Sequence, residues 1–177
     1  MKTKVYLLSL VSFREKFPEL TKREIEKTAG DYAVRTGFSD LFGYDNVEII
    51  CDKKPYIKNC PYHFNLSHSG DFLLLAVGDT PVGADIEKIT KIHPKTLEKC
   101  FSKEEQGYVE KVGTDAFFEI WTKKESYVKY TGVGMKGLSK EIIYPDEVAF
   151  FTQKYEGYQI TVCTGQNHLP VTIETIV

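Results

Sequence analysis

The residues of this chain best suited to chemistry are two carboxylates, Asp85 and Glu87, in the run Gly83-Ala84-Asp85-Ile86-Glu87. Residues two apart on a strand share a face, so both carboxylates point one way while Ala84 and Ile86 point into the core. Two adjacent carboxylates repel each other unless a cation lies between them. Mg²⁺ suits such a pair, since it is usually held by one or two carboxylates and substrate phosphates. For the pair alone, two carboxylates facing water at a strand end are the simpler interpretation.

A second group of suitable residue types lies on one side of a predicted helix. Trp121, Glu125 and Lys129 are spaced four apart, which stacks them along one helix face. Phe117 extends this side and predicts that it is buried, so a carboxylate and an ammonium beside it are suited to lining a cleft. The alternative is an exposed Glu-to-Lys pair, which contributes only about 0.3 kcal/mol to a helix. The sequence leaves both interpretations open.

Small polar residues form a third group in the segment Asn65-Leu66-Ser67-His68-Ser69-Gly70. Hydroxyls, an imidazole and a glycine at the entry to a strand can supply hydrogen-bond donors to phosphate. A plain polar turn is the alternative, and the segment alone favours it.

Other patterns argue against several classes of site. The residues 132–137 spell G-x-G-x-x-G, but a dinucleotide site needs a strand before this pattern and a helix after it, and the sequence predicts the opposite order. No G-x-x-x-x-G-K-[ST] run is present, which excludes a P-loop. Cys60, His63 and His68 lack a second ligand pair for zinc. The four cysteines match no redox or disulfide spacing, so we expect reduced thiols in a cytoplasmic protein.

The composition is that of an ordinary globular protein, with 42% hydrophobic and 27% charged residues. The net charge of −2 argues against a general coat for nucleic acid. No apolar run reaches the roughly 18 residues that a membrane span needs. The short apolar run near the start favours a first strand over a signal peptide. We therefore expect neither nucleic acid nor a membrane among the partners.

The elements that must position these groups begin with a strand over 5–11. A helix is predicted from about 22 to 36, because Thr21 and Glu24 form a capping box at its start. Gly37 is predicted to end this helix, since glycine is common just after the last helical turn.

Strands dominate the middle of the chain. A short strand over 47–51 precedes a polar, proline-bounded loop. The continuous apolar run 72–77 predicts a buried strand, and 82–86 predicts the returning arm of a hairpin with it.

Two helices are predicted in the second half. Ser102 and Glu105 form another capping box, which opens a helix to about residue 111, and a longer helix runs from Thr114 or Asp115 to Tyr130. Four strand-like stretches follow, over 142–144, 148–151, 158–163 and 170–176. This order of elements predicts an α+β fold rather than a regular βαβ alternation.

Three motifs occur in order, namely Gly83-x-Asp85-x-Glu87, Phe101-Ser102-x-x-Glu105 and Trp121-x-x-Lys124-Glu125-Ser126-x-x-Lys129. Together they resemble the signature of the 4′-phosphopantetheinyl transferase superfamily. The upstream runs Lys54-Pro55 and Asn65-Leu66-Ser67-His68-Ser69 resemble its surfactin-synthetase-activating type. The resemblance covers residues from about 20 to 140. It implies the α+β fold of that family, with two pseudo-symmetric halves, 1–88 and 89–177, and the active site between them.

The resemblance also implies a reaction. The 4′-phosphopantetheine arm of coenzyme A passes to a serine hydroxyl of an apo carrier protein, and 3′,5′-adenosine bisphosphate leaves. By resemblance, Asp85, Glu87 and Glu125 hold Mg²⁺, with Mn²⁺ as the related ion. Such an ion polarises a pyrophosphate and neutralises its leaving phosphate.

Further roles follow from the same resemblance. Glu125 is implied as the general base for the carrier serine, directly or through a water, and Lys129 as the group that stabilises the phosphates or protonates the leaving group. His68 completes the implied catalytic set. The side chains implied to bind coenzyme A are those of Arg35, Lys54, Ser67, His68 and Lys129.

The implied partner is an acyl, polyketide or peptidyl carrier protein, and the implied state is a monomer. Lys136 and Lys140 could contact an acidic partner helix, or they could be ordinary surface lysines. Two other functions stay open, which are a different magnesium-dependent phosphate-transfer enzyme and a silent relative that only binds coenzyme A or a carrier protein.

Overall fold

The computed structural model describes residues 3–51, 54–165 and 173–176, with the side chain of Met135 left aside. The strands in chain order are β1 (Thr3–Ser9), β2 (Ile49–Ile50), β3 (Tyr56–Ile57), β4 (His63–Ser69), β5 (Phe72–Gly78), β6 (Gly83–Lys88), β7 (Val148–Tyr155), β8 (Tyr158–Gly165) and β9 (Ile173–Ile176). The helices are α1 (Leu10–Lys16), α2 (Lys22–Phe42), α3 (Pro94–Cys100), α4 (Lys103–Val112) and α5 (Thr114–Thr131), followed by one 3-10 turn at Met135–Gly137.

The main sheet has the strand order β4-β5-β1-β9. Its β4-β5 and β5-β1 pairs are antiparallel, whereas β1 and β9 are parallel. A second sheet has the antiparallel order β6-β8-β7, and β2 pairs with β3 apart from both. The α+β class predicted from the order of elements is therefore confirmed.

Strand β6 corrects one prediction. The run 82–86 was expected to form a hairpin with 72–77, but β6 pairs with β8, so that Asp85 faces Thr161 across the ladder. Alternation of apolar residues identifies a strand but not its partner, and the turn before β6 carries the chain into the second sheet.

The first elements also differ from their predicted bounds. Strand β1 ends at Ser9, and the last apolar residues of the predicted strand open α1 instead. The Leu10 amide there donates to the carbonyl of Asp71, 2.8 Å away, and so leaves the β ladder.

Helix α2 begins as predicted and ends later. Thr21 and Glu24 form the predicted capping box. Gly37 lies inside the helix, however, and Gly43 ends it in a left-handed conformation with φ of 72°. A Cβ on Gly37 would lie 2.8 Å from a methyl of Leu75, so the glycine serves close packing of helix on sheet rather than a helix end.

The second half largely follows its predicted elements. The Ser102–Glu105 capping box and the long helix α5 are both confirmed, whereas α3 was not predicted. The predicted strand over 142–144 is wrong. Its Tyr144 is held by packing at 5.0 Å from the Phe150 ring rather than by a ladder. Strand β9 confirms 173–176, and the rest of that predicted stretch lies outside the described residues.

Both faces of the main sheet are buried, which explains why β5 reads as a continuous apolar run. On one face Tyr6 and Leu8 pack with α1 and α2, and on the other Val5 and Leu7 pack with Ile86 of the second sheet. Helix α5 covers the opposite face of the second sheet, beside a third cluster around Phe101, Phe117 and Phe118.

Each sheet takes one strand from the other half of the chain. Strand β6, before residue 88, belongs to the second sheet, and β9, near the end of the chain, belongs to the main sheet. The division of the fold into halves at residue 88 stays a prediction. Among the helices that the structure describes, none is both long and apolar enough to span a membrane.

Candidate active site

The site lies where the edge strand of each sheet meets the other, β4 against β6. Side chains rather than a backbone ladder join these two strands. The Ala84 amide donates to Oδ1 of Asn65 at 2.9 Å, and the Lys88 amide donates to the hydroxyl of Ser69 at 3.1 Å. The Ser67 hydroxyl lies between them, 3.4 Å from the Ile86 amide. Every second side chain of β4 thus fixes the backbone of the strand that carries the two carboxylates.

Asp85 is the centre of this arrangement and is almost fully buried. Its Oδ1 accepts a hydrogen bond from Ser67 at 2.8 Å and an ion-pair contact from Nζ of Lys129 at 2.7 Å. Burial raises the pKa of Asp85, and the nearby Lys129 ammonium opposes this effect. Its Oδ2 is buried and has no hydrogen-bond partner within the part of the chain that the structure describes.

Gly83 brings α5 close enough for this contact. A Cβ at this position would lie 2.0 Å from the carbonyl oxygen of Ser126 and 2.3 Å from the amide nitrogen of Tyr130. The absent side chain therefore lets the backbone of α5 rest directly on β6. This contact sets Lys129, one residue before Tyr130, against Asp85.

Glu87 lies on the same face of β6, as alternation predicts, and is held from two sides. The Ser69 hydroxyl donates to its Oε2 at 2.9 Å, and the indole of Trp121 donates to its Oε1 at 3.4 Å. Burial raises the pKa of Glu87, and the negative charge of Asp85 adds to that rise.

Glu125 lines a neighbouring cavity of about 250 Å³, together with Lys54, Asn65 and Lys129. Burial raises the pKa of Glu125 to about 7, and the negative charge of Asp85 adds to the rise. The ammonium of Lys54 donates to the carbonyl of Lys129 at 2.7 Å, and burial lowers the pKa of Lys54. A carboxyl and two amines therefore meet in one partly desolvated space.

Two predicted side chains lie elsewhere. Neighbouring residues on a strand face opposite ways, so His68 faces α2, where its Nδ1 lies 3.7 Å from Glu26. Arg35 pairs with Asp31 at 2.8 Å, and its guanidinium also donates to the carbonyl of Val47 at 3.0 Å. The structure gathers Ser67, Asp85 and Lys129 into direct contact, and it leaves His68 and Arg35 outside that group.

Lys124 is a further residue of this region, and the sequence patterns predict no role for it. Its side chain is fully buried, with Nζ 2.9 Å from Oε2 of Glu105 and 2.8 Å from the carbonyl of Lys140. The same oxygen of Glu105 accepts from the amide of Ser102 at the start of α4. This pair of a buried ammonium and a half-buried carboxylate therefore joins α4, α5 and the segment that contains Lys140. The sequence did contain a signal for this pair, because a lysine on the inner side of α5 needs an anionic partner and the capping carboxylate Glu105 is one.

The donor set fits a divalent cation. In the described ranges, no group of three or more histidine, cysteine, aspartate or glutamate side chains is arranged by itself to hold a metal ion. Within the same ranges, Asp85 nevertheless offers a buried oxygen that has no hydrogen-bond partner, and Glu87 shares its face. Two carboxylates completed by phosphate oxygens are the usual protein environment of Mg²⁺. The residues present therefore suit a cation that arrives with a phosphate-bearing substrate.

Comparison with known proteins also points to an enzyme with a phosphate-bearing substrate. The family model described as the 4′-phosphopantetheinyl transferase superfamily matches residues 81–175. The chain is 34% identical over 162 residues to the 4′-phosphopantetheinyl transferase psf-1 of Bacillus pumilus, an alignment covering 76% of this chain and 69% of that protein.

Two further relatives carry similar names. Identity is 30% over 157 residues to the 4′-phosphopantetheinyl transferase gsp of Aneurinibacillus migulanus, covering 76% of this chain and 66% of that protein. It is 31% over 155 residues to the 4′-phosphopantetheinyl transferase Sfp of Bacillus subtilis strain 168, covering 82% and 66%. The chain spans about two thirds of the length of these relatives. It belongs to the 4′-phosphopantetheinyl transferase superfamily, as a relative of its surfactin-synthetase-activating type.

Proposed function

We propose that this chain transfers the 4′-phosphopantetheine arm of coenzyme A to a serine hydroxyl of an apo carrier protein. The observation that carries the proposal is the contact of Lys129 with Asp85 beside the cavity that Glu125 lines. The Lys129 ammonium and the Glu125 carboxyl, whose pKa is near neutral, line one cavity, and the buried Asp85 carboxylate contacts that ammonium. Family membership and the names of the relatives support the same reaction.

The carboxyl of Glu125 acts as the base. In the metal-free chain its pKa of about 7 leaves both protonation states populated near neutral pH, and a bound cation would favour the ionised form that can accept a proton. Glu125 takes the proton of the carrier serine, directly or through a water. The serine oxygen then forms a bond to the phosphorus that bears the pantetheine arm. The bond from that phosphorus to the bridging oxygen breaks, and 3′,5′-adenosine bisphosphate leaves with the bond's electron pair.

Lys129 and the cation held by the carboxylates of β6 neutralise the negative charge of the phosphates. When bound at Asp85 and Glu87, with Glu125 as the third ligand, Mg²⁺ or Mn²⁺ supplies positive charge to the pyrophosphate oxygens. The Lys129 ammonium stabilises the charge that develops on the leaving phosphate, or returns a proton to it. Lys129 is within reach because Gly83 lets α5 lie against β6.

The remaining predicted residues bind the nucleotide end of coenzyme A. Lys54 lines the cavity and can contact a phosphate directly. Ser67 adds a hydroxyl at the seam between the sheets, which is the junction of the edge strands β4 and β6. His68 and Arg35 are exposed enough to exchange the carboxylates of Glu26 and Asp31 for phosphate oxygens.

The partner proposed is an acyl, polyketide or peptidyl carrier protein, for which Lys136 and Lys140 are candidate contacts. A monomer in the cytoplasm, with neither nucleic acid nor membrane as a partner, stays a prediction from the sequence.

The identity of the small product tests the reaction. The protein is incubated with coenzyme A, an apo carrier protein and Mg²⁺, and the nucleotides are separated by chromatography. We expect 3′,5′-adenosine bisphosphate to appear, to require the carrier protein and to stop on addition of a chelator. Glu125→Gln is expected to abolish the product, whereas Glu119→Gln, at an exposed position on the same helix, keeps it. Release of inorganic phosphate or a nucleoside diphosphate instead would contradict the proposal.

A further inference from the structure

The carboxylate of Glu87 is held by two donors from separate parts of the fold. Ser69 comes from the end of β4 in the main sheet, and its hydroxyl lies 2.9 Å from Oε2. Trp121 comes from the middle of α5, and its indole nitrogen lies 3.4 Å from Oε1. Each oxygen of the carboxylate therefore accepts one hydrogen bond, and the two donors approach from different elements. We call this arrangement the Glu87 clamp, consisting of Ser69, Glu87 and Trp121.

The direction of each hydrogen bond is fixed by the surroundings. The Ser69 oxygen accepts from the backbone amide of Lys88 at 3.1 Å, so its own hydrogen is turned toward Glu87. The Trp121 indole can only donate, and its ring packs on the cluster around Phe117, which limits its rotation. The clamp thus fixes the rotation of the carboxylate about its last bond.

The clamp leaves Glu87 able to take another ligand. An ionised carboxylate has about four acceptor positions, and the two hydrogen bonds use only one on each oxygen. Neither donor carries a charge, so neither neutralises the carboxylate as the Lys129 ammonium does for Asp85. A cavity of about 260 Å³ borders all three residues of the clamp.

We propose that Ser69 and Trp121 are positioning residues for the divalent cation, because they aim the Glu87 carboxylate at the ion. This inference rests on the cation of the proposed function, although not on the transfer reaction itself. Residues that orient a metal ligand through hydrogen bonds typically change metal affinity or activity by about 10–100-fold when they are replaced. Loss of either donor should therefore weaken cation binding while leaving the fold in place.

The test uses the fluorescence of Trp121, which is the single tryptophan of the chain. The full chain is titrated with Mg²⁺, once alone and once with saturating coenzyme A, and the emission is followed. We expect a saturable change in at least one of the two titrations. In Ser69→Ala its midpoint should move to at least about tenfold higher Mg²⁺. Ser69→Thr, which keeps the hydroxyl, should restore the midpoint of the unaltered chain.

Two further variants complete the design. Ser39→Ala removes a hydroxyl that bonds to Asp45 far along α2, and it should leave the midpoint unchanged. Trp121→Phe keeps a ring but loses the indole donor, so its Mg²⁺ affinity is measured by calorimetry and should also fall about tenfold or more. Thermal unfolding of each variant shows whether it is folded.

The inference is overturned if the unaltered chain shows no Mg²⁺-dependent emission change in either titration, or if folded Ser69→Ala and Trp121→Phe both bind Mg²⁺ as the unaltered chain does. These measurements need no carrier protein. A chain that binds Mg²⁺ through the clamp but transfers nothing would contradict the proposed function and not this inference.

Discussion

The ammonium of Lys129 lies 2.7 Å from Oδ1 of Asp85, although one residue is on helix α5 and the other on strand β6. The Asp85 side chain is only 3% exposed, so its charge depends on this contact. The contact also joins the two elements that carry the proposed catalytic groups. Loss of the Lys129–Asp85 contact should therefore lower both the stability and the activity of the protein.

Lys129→Met should lower the free energy of unfolding, because it leaves a buried carboxylate without its cation. Breaking a buried ion pair typically costs about 3–5 kcal/mol, and the partial exposure of Lys129 favours the lower end. Urea denaturation measures the loss. The double variant Asp85→Asn/Lys129→Met should regain most of it, since no charge is then left unpaired. Additive losses in the double variant would contradict the importance of the contact.

Gly83→Ala should destabilise the protein by at least about 2 kcal/mol, because its methyl group would overlap the backbone of α5 and such overpacking is not relieved by a side-chain rotation. Chemical denaturation gives the value. Gly107→Ala is the matched control, since nothing lies within 4 Å of its added methyl. The free energy of unfolding of this control should rise by about 0.5–1 kcal/mol, because alanine favours a helix more than glycine does. Equal effects of the two substitutions would show that close approach of α5 is not required.

Glu125 should make stability depend on pH. Its pKa rises from the usual 4.5 to about 7 on folding, so the folded chain binds more protons between these values than the unfolded chain does. The free energy of unfolding should then fall as pH rises from 5 to 8. Because Glu125 is partly exposed, its share is roughly 1–3 kcal/mol after solvent screening.

Denaturation at several pH values in the presence of a chelator measures this dependence. Glu125→Gln cannot titrate, so its stability should fall less over the same range. The substitution has nearly the same shape, which keeps the packing of the cavity. Identical pH dependence in the two proteins would show that the carboxyl does not titrate near pH 7.

Lys54 and Arg35 should differ in their effect on coenzyme A. Lys54 lines the cavity beside Glu125, whereas Arg35 is already paired with Asp31. A hydrogen bond to a charged group contributes about 1.5–3 kcal/mol, so Lys54→Met should raise the Kd for coenzyme A by about tenfold or more. Arg35→Met should raise it less. Calorimetry compares them, and a larger effect at Arg35 would place the nucleotide end nearer to α2.

Local patterns predicted much of the fold. The Thr21–Glu24 and Ser102–Glu105 capping boxes are confirmed, because a helix start is decided by contacts within one turn. The prediction that Gly37 ends α2 is wrong, because the requirement for a glycine there comes from close packing on Leu75, which lies on a strand distant in sequence. The hairpin partner of 82–86 was wrong for a similar reason.

In the candidate site, too, features set by local patterns could be predicted, whereas features set by contacts between distant elements could not. Alternation along β6 put Asp85 and Glu87 on one face, and helical spacing put Trp121 on the side of α5 that reaches Glu87. The match of Ser69 to Glu87 could not be predicted, because β4 and β6 meet through side chains at the edges of two sheets. A polar residue at every second position of β4 was the only local sign of that seam.

The most direct measurement of the proposed transfer is the intact mass of an apo acyl carrier protein after incubation with this chain, coenzyme A and Mg²⁺. A gain equal to one phosphopantetheine group is predicted with the unaltered chain and with Glu119→Gln, and no gain with Glu125→Gln. An unchanged mass for both acyl and peptidyl carrier proteins, with the folded and unaltered chain, would contradict the proposed activity.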